Sequence, residues 1–370
     1  MKKYIKIGKR LVGFDKEPLV VAEMGINHNG SLDLAISIAD SAIKSGAEII
    51  KHQTHIIDDE MANYAKKVVP GNSKKSIYEI IKETSLSEKS EQKLMQYIKS
   101  RKKIFFSTPF SRKAVDRLEK FNVPLYKIGS GECNNYHFVE YVCKKKKPII
   151  LSTGMNSLKS IEPAVKIIRK YKLPYALLHC TNIYPTPHKL VRLNAMLQLK
   201  QKFKDAIIGL SDHSETIYPC LGAISLGASI VEKHFVSSKK IKGPDISSSM
   251  DKDELKELIK ASKIISQSNV AFTVDADHGF AHRAIALGFE KLFPAAKDNG
   301  IASLAISNSY NCGVLGFHTQ AIARENLIGI GFTNAPASIA PIGGTKPVVG
   351  TNPISVAVYN QGSVKILIDQ

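Results

Sequence analysis

From the N-terminus to Ser268, short apolar runs rich in β-branched residues alternate with longer segments whose apolar positions recur at helical spacing. The first four runs are Leu19-Val20-Val21-Ala22-Glu23, Glu48-Ile49-Ile50-Lys51-His52, Ile104-Phe105-Phe106-Ser107 and Leu125-Tyr126-Lys127-Ile128. The next four are Pro148-Ile149-Ile150-Leu151-Ser152, Tyr175-Ala176-Leu177-Leu178-His179, Ala206-Ile207-Ile208-Gly209-Leu210 and Ser229-Ile230-Val231-Glu232-Lys233. Between the first two, residues 32 to 45 place apolar side chains at 32, 35, 36, 38, 39 and 42–43, one face of a helix. Strand–helix alternation predicts a parallel sheet, because parallel neighbours need a crossover that a helix supplies. Eight such units in about 250 residues are the count and length of a (β/α)8 TIM barrel. An open doubly wound sheet is the alternative, and its GxGxxG turn after the first strand is absent.

The pattern changes near residue 268. The remainder of the chain is Gly-rich, and predicts a small, incomplete α+β segment; the domains expected are 1–268 and 269–370. Charge changes at the same place. The net charge of +19 arises entirely between Met1 and Ser268, since the stretch 269–370 holds six basic and six acidic side chains. Most of the excess is lysine on helix-like segments. It reads as solvated faces and attraction of small anions, with no nucleic acid expected as partner.

Composition narrows the class. Hydrophobic content of 44% with 23% charged residues excludes wholesale disorder. No run approaches the roughly 20 apolar residues of a membrane span, and no apolar core follows the basic N-terminus. Five cysteines stand singly at 133, 143, 180, 220 and 312, as expected of reduced thiols in a cytoplasmic protein.

Every strand-like run ends in polar residues that a buried strand has no packing use for. They are Glu23 with Asn27-His28-Asn29; Lys51, Gln53 and His55; Ser107-Thr108; Lys127, Ser130 and Glu132; Ser152-Thr153; His179, Thr181, Asn182 and Tyr184; Ser211-Asp212-His213; and Glu232-Lys233-His234. In a barrel they converge at the C-terminal mouth, where such enzymes keep their active sites. Lysines grouped with hydroxyls suit phosphate and carboxylate, so the expected substrate is a small anion, a phosphate ester first. His213 and His234 end neighbouring strands and could hold one divalent ion, with waters or Glu23 completing the shell. His52, His55 and His179 are rivals that spacing alone does not rank.

The barrel segment resembles the sialic acid (N-acetylneuraminate) synthase family over about residues 4–266. The likeness rests on Ala22-Glu23-Met24-Gly25-Ile26-Asn27-His28-Asn29-Gly30, Lys51-His52-Gln53-Thr54-His55, Pro70-Gly71-Asn72, Ser107-Thr108-Pro109-Phe110 and Lys127-Ile128-Gly129-Ser130-Gly131-Glu132. It continues through Leu151-Ser152-Thr153-Gly154-Met155, Leu178-His179-Cys180-Thr181-Asn182-Ile183-Tyr184-Pro185-Thr186-Pro187, Gly209-Leu210-Ser211-Asp212-His213, Glu232-Lys233-His234-Phe235 and Gly243-Pro244-Asp245. Legionaminate and pseudaminate synthases share much of this set. The HQTH and LHCTNIYPTP segments look most like the N-acetylneuraminate type.

The resemblance implies condensation of phosphoenolpyruvate with open-chain N-acetylmannosamine and water, giving N-acetylneuraminate and phosphate. It implies Mn2+ (or Mg2+) on His213 and His234, with Glu23, Lys51, Lys127, His213 and His234 as catalytic residues. It places phosphoenolpyruvate among Lys51, Thr108, Lys127, Ser130, Ser152, Asn182 and Ser211, and the amino sugar near Gln53, Asn72, Phe110, Tyr184 and Asp245. Glu132 joins the substrate-binding set. Relatives continue into a small antifreeze-like domain through which they partly dimerise; nothing after Ser266 resembles it, and a homodimer is the assembly the likeness implies.

Residues 270–370 instead resemble an internal piece of the malate/L-lactate dehydrogenase family that lacks the usual Rossmann fold. Thr333-Asn334-Ala335-Pro336, Ile306-Ser307-Asn308-Ser309 and Gly350-Thr351-Asn352-Pro353 carry the likeness, while Tyr310-Asn311 depart from the His-His many relatives have. Three activities follow for testing: a nonulosonate synthase in the barrel, an NAD(P)-dependent 2-hydroxy- or imino-acid oxidoreductase in the tail, and a ligand-binding barrel without turnover.

Overall fold

A computed structural model describes residues 4–69, 74–266, 270–348, 350–360 and 363–370. The chain divides into two compact units, Met1–Gln267 and Ser268–Gln370.

The first unit opens with an antiparallel hairpin, β1 (Ile5–Ile7) and β2 (Arg10–Val12). Eight parallel strands follow: β3 (Leu19–Glu23), β4 (Ile49–Thr54), β5 (Ile104–Pro109), β6 (Tyr126–Ile128), β7 (Ile149–Ser152), β8 (Tyr175–Cys180), β9 (Ile207–Asp212) and β10 (Ile230–His234). Their order, β5-β4-β3-β10-β9-β8-β7-β6, closes a barrel in which β5 and β6 lie side by side without a ladder. The eight apolar runs of the sequence are these eight strands.

Strand alternation sorts the side chains into two cores. Facing inward, Leu19, Val21, Ile49, Phe106, Leu125, Ile150, Leu178, Ile207 and Ile230 fill the barrel axis together with Ile5, Ile7 and Val12, so the hairpin plugs the N-terminal end. Facing outward, residues such as Val20, Ile50, Phe105, Leu177, Leu210 and Val231 pack under the helices. Each such buried aliphatic contributes about 1.5–3 kcal/mol. At Gly209 a Cβ would sit 2.2 Å from the Ile230 carbonyl oxygen, so only glycine lets β9 and its neighbour close here.

The second unit is a βαβ pair followed by an antiparallel sheet. Strands β11 (Ala271–Asp275) and β12 (Ser303–Ser307) run parallel, connected by the helix Ala281–Asn299. The helix Leu315–Arg324 then packs on one face of β13 (Ile328–Phe332), β14 (Ile354–Asn360) and β15 (Ser363–Asp369). Among the described residues, no helix is long and apolar enough to cross a membrane.

Candidate active site

The inward parity that stacks aliphatics along the axis continues upward and turns polar at the strand ends. Glu23, Lys51, Thr108, Lys127, Ser152, Ser211, Glu232 and His234 are all buried there. Lys51 pairs with Glu23 and lies 3.3 Å from Glu232 Oε1, while Lys127 lies 3.2 Å from that same oxygen. Lys127 Nζ also donates to Ser152 Oγ at 2.8 Å, and Ser211 Oγ donates to Glu232 Oε1 at 3.2 Å. Two ammoniums and two carboxylates thus balance inside the barrel, the arrangement under which buried charges are tolerated.

The balance sets the charge states. Burial lowers the Lys51 ammonium to about 8 against the pull of Glu232. Burial pushes Glu232 the other way, but Lys127 and Lys51 together outweigh it and hold that carboxyl well below its ordinary value. An incoming anion therefore meets two lysines already paired with carboxylates, plus hydroxyls that are not committed. Among the described residues the buried Thr108 Oγ1 has no hydrogen-bond partner, and Ser130 Oγ accepts the Gly154 N–H at 3.0 Å.

Beside this cage the two histidines approach each other, with ring centroids 5.5 Å apart. His213 Nδ1 donates to the Thr181 carbonyl at 2.9 Å, which fixes its tautomer and leaves the Nε2 lone pair facing the Tyr184 hydroxyl at 2.8 Å. The Tyr184 ring stacks on His213 at 4.0 Å. His234 Nδ1 is buried with no hydrogen-bond partner, 3.6 Å from Asp245 Oδ2. Burial lowers His213 to about 4, and it lowers His234 too, aided by His213; burial also raises Asp245 to about 6. Neutral imidazoles are the donor chemistry a divalent ion needs, and at His213 the Tyr184 hydroxyl holds the Nε2 lone pair such an ion would take. Among the described residues no set of three or more His, Cys, Asp or Glu side chains converges on one point, so water would complete any shell.

The loops that shape the mouth are tied together over long sequence distances. Asn27 Nδ2 donates to the Phe235 carbonyl at 3.1 Å and to Ser249 Oγ at 2.9 Å, and Ser249 Oγ donates to the Asp245 carbonyl at 2.7 Å. Gly25, at φ +55°, donates its N–H to Glu23 Oε1; a Cβ there would lie 3.1 Å from both His234 and Asp245.

The same parity disposes of two of the three rival histidines. His52 and His179 lie on the outward face: His179 Nε2 donates to the Val191 carbonyl at 2.7 Å, and His52 joins a buried chain behind the barrel wall. In that chain Gly30 N–H donates to His28 Nδ1, His28 Nε2 faces His52 Nε2 at 3.1 Å, and His52 Nδ1 faces Glu91 Oε1 at 3.2 Å. Arg117 closes it with a 3.1 Å bond to Glu91. His55 stacks on Phe110 at 4.4 Å and is held by Glu60 and Gln53.

Of the other expected site residues, Asn182 accepts from Cys180 Sγ at 3.2 Å. Glu132 accepts from Asn135 at an exposed turn and has no bond to the lysine cage. Asn72 lies outside the described residues. Two residues to which the likeness gave no catalytic or binding role stand in the site by position. Glu232 is the carboxylate both lysines share. Cys180 faces inward, with Sγ 3.7 Å from His213 Nδ1 and its thiol raised to about 11 by burial. Counting back by two from His234, or reading across the sheet from Ser211, sets Glu232 on the inward face; counting on by two from Leu178 does the same for Cys180. A cavity of about 610 Å³ lies beside the mouth, lined by Thr153, Met155, Cys180, Asn182 and Arg192 but by none of the lysines or carboxylates.

A parallel barrel here carries a neutralised lysine–carboxylate cage at the C-terminal ends of its strands, the end where enzymes of this architecture keep their active sites. Comparison with known proteins agrees. The family model described as the NeuB family matches residues 38–271, and one described as malate/L-lactate dehydrogenase matches residues 251–370. The barrel is 38% identical over 264 residues to an uncharacterized protein of Methanocaldococcus jannaschii, covering 71% of this chain and 75% of that one. It is 37% identical to the N,N'-diacetyllegionaminic acid synthase of Campylobacter jejuni, covering 66% and 75%. A crystal structure of N-acetylneuraminic acid (sialic acid) synthetase from Leptospira borgpetersenii, in complex with citrate, superposes with TM-score 0.67 at 30% identity, covering 72% and 90%. The chain belongs to the NeuB family. The dehydrogenase match begins at residue 251, inside the first unit and just ahead of its helix Lys252–Ser266, earlier than the boundary read from sequence.

Proposed function

We propose that the barrel condenses phosphoenolpyruvate and water with the open-chain aldehyde of an N-acylated amino sugar, N-acetylmannosamine first, releasing phosphate and a nine-carbon 2-keto acid. The carrying observation is the shared carboxylate: Glu232 holds Lys51 and Lys127 within 3.3 Å of one oxygen, so both ammoniums point into one space. That the Leptospira relative forms a complex with citrate, a small carboxylate anion, is in keeping with this reading.

In this reading Lys51 and Lys127 hold the phosphate and carboxylate of the enol ester, with Thr108, Ser130, Ser152, Ser211 and Asn182 filling the remaining oxygens. Tyr184, Gln53, Phe110 and Asp245 border the sugar. Fixing two reactants in line is worth roughly 7–11 kcal/mol of the barrier. His213 and His234 would hold Mn2+ or Mg2+, which when bound polarises a carbonyl oxygen as a Lewis acid. Glu23, salt-bridged to Lys51 and bonded to the Gly25 amide, is placed to orient the attacking water or accept its proton. The legionaminate-type sugar is the second reading, favoured by the identity to the Campylobacter synthase. The deciding assay is phosphate release from phosphoenolpyruvate with Mn2+ and each of three sugars: N-acetylmannosamine, its 6-phosphate and a 2,4-diacetamido hexose. Release with one sugar assigns the substrate. Release with none, alongside measurable phosphoenolpyruvate binding, would leave a binding barrel without turnover.

A further inference from the structure

The antiparallel sheet of the second unit has one covered face and one open face. The helix Leu315–Arg324 covers the first, where Thr319 Oγ1 and Ser355 Oγ meet at 2.6 Å and Ala357 is wholly buried. The pairing register puts Ile328, Val358 and Ile366 in one row of the other face, Ile330, Val356 and Ile368 in the next, and Phe332 beside Ile354. These eight side chains are all apolar, and no charged side chain stands in the three rows, whose one polar member is Gln370, paired with Ile354 at the end of the third. Ile328 is 66% exposed, Ile330 55%, Phe332 71%, and Ile354, Ile366 and Ile368 about half.

We propose that this face is an interface between two copies of the chain, packed sheet on sheet about a two-fold axis. Three observations select a second copy as the occupant. First, the six exposed side chains offer on the order of 600 Å² per copy, so a face-to-face pair buries about 1,200 Å², the lower end of what specific interfaces need. Second, an uncharged patch gives no electrostatic handle to a charged partner, whereas regular rows of β-branched side chains pack against an identical set, as an isologous contact requires. Third, charge permits it there and opposes it elsewhere. The chain up to Ser268 carries the whole +19, so barrel units repel one another, while the stretch 269–370 balances at six charges of each sign. Patches of this size on a monomer mark association sites.

The test is sedimentation equilibrium of the full chain between 0.1 and 100 µM, on a protein whose single-chain mass is 40.6 kDa. The expected result is a dimer at micromolar concentration. The double variant Ile330→Lys/Ile368→Lys, which sets like charges across the two-fold, should weaken the dimer at least 100-fold. Ile342→Lys, at an exposed position outside the sheet, should leave it intact. Hydrogen exchange of residues 328–332 and 363–369 in the unmodified chain gives a second reading, with slower exchange at high concentration expected. A monomer at 100 µM would overturn the proposal and leave the face to the chain's own barrel or to another protein. A dimer that survives the double variant with concentration-independent exchange would also overturn it.

Discussion

The two units spend similar residues to opposite ends. In the barrel, every strand is covered on both faces, by the axis-filling aliphatics within and the helices without, and no long sheet edge is left bare. In the second unit a three-stranded sheet of equally β-branched strands has one face covered and one open. Apolar content does not separate them; closure does. Closure also makes the site. Only when the sheet curls on itself do the inward positions of eight strands meet, so that a lysine on β4 and another on β6 can share a carboxylate on β10. The open sheet gathers nothing along an axis, and the buried Ser355 hydroxyl on its central strand is taken up by Thr319 and the Ile368 carbonyl.

The largest expected effect breaks the barrel at its tightest closure. Gly209→Val drives side-chain atoms into the Ile230 carbonyl and Leu178, which backbone pairing prevents from moving. Overpacking of this kind costs about 3 kcal/mol or more. Chemical unfolding followed by circular dichroism should show the barrel transition lost or shifted by that amount; an unshifted midpoint would mean that β8, β9 and β10 are not packed as described.

A smaller effect separates the units by function. Lys51→Ala should lower kcat for phosphate release by about 100-fold and raise the phosphoenolpyruvate KM, since it removes a buried ammonium and leaves Glu23 without its partner. Asn352→Ala, in the turn of the second unit where Asn352 accepts from the Ala335 N–H at 2.9 Å, should leave both within about twofold. Matching losses in the two variants would tie the second unit to the reaction and end the functional separation of the two units.

Much of this was legible in the chain. The apolar runs mark all eight barrel strands because buried parallel strands read as continuous hydrophobic segments. Their polar tips mark the mouth. What escaped needed either phase or distance. Phase within a strand decides that Glu232 and His234 face in while Lys233 turns out to bond Asp212 at 2.7 Å; a list of polar tips does not carry it. Distance hides the rest: Asn27 meets Ser249, and His52 meets Glu91, across loops and helices whose packing no local pattern encodes. The N-terminal hairpin leaves no mark in the pattern, because its two short strands give too brief a period to register.

The smallest effect concerns how the barrel responds to acid, and its sign follows from burial. His28, wholly enclosed behind the barrel wall, is lowered from 6.5 to about 3, first by burial and then by the neighbouring imidazoles of His52 and His55. In the unfolded chain the same ring accepts a proton near 6.5. Between that value and about 3, the unfolded state therefore holds a proton that the folded state refuses, and stability falls as the pH falls. From pH 7 to pH 5 this one ring withdraws about 2 kcal/mol, at about 1.4 kcal/mol per pH unit below 6.5. His28→Gln removes the titrating group, whatever it does to stability at pH 7. The difference in unfolding free energy between pH 7 and pH 5 should then be smaller in the variant than in the parent, by about 2 kcal/mol. Equal differences would show that the ring already carries its proton in the folded barrel, and His28 Nδ1 could then no longer accept the Gly30 N–H.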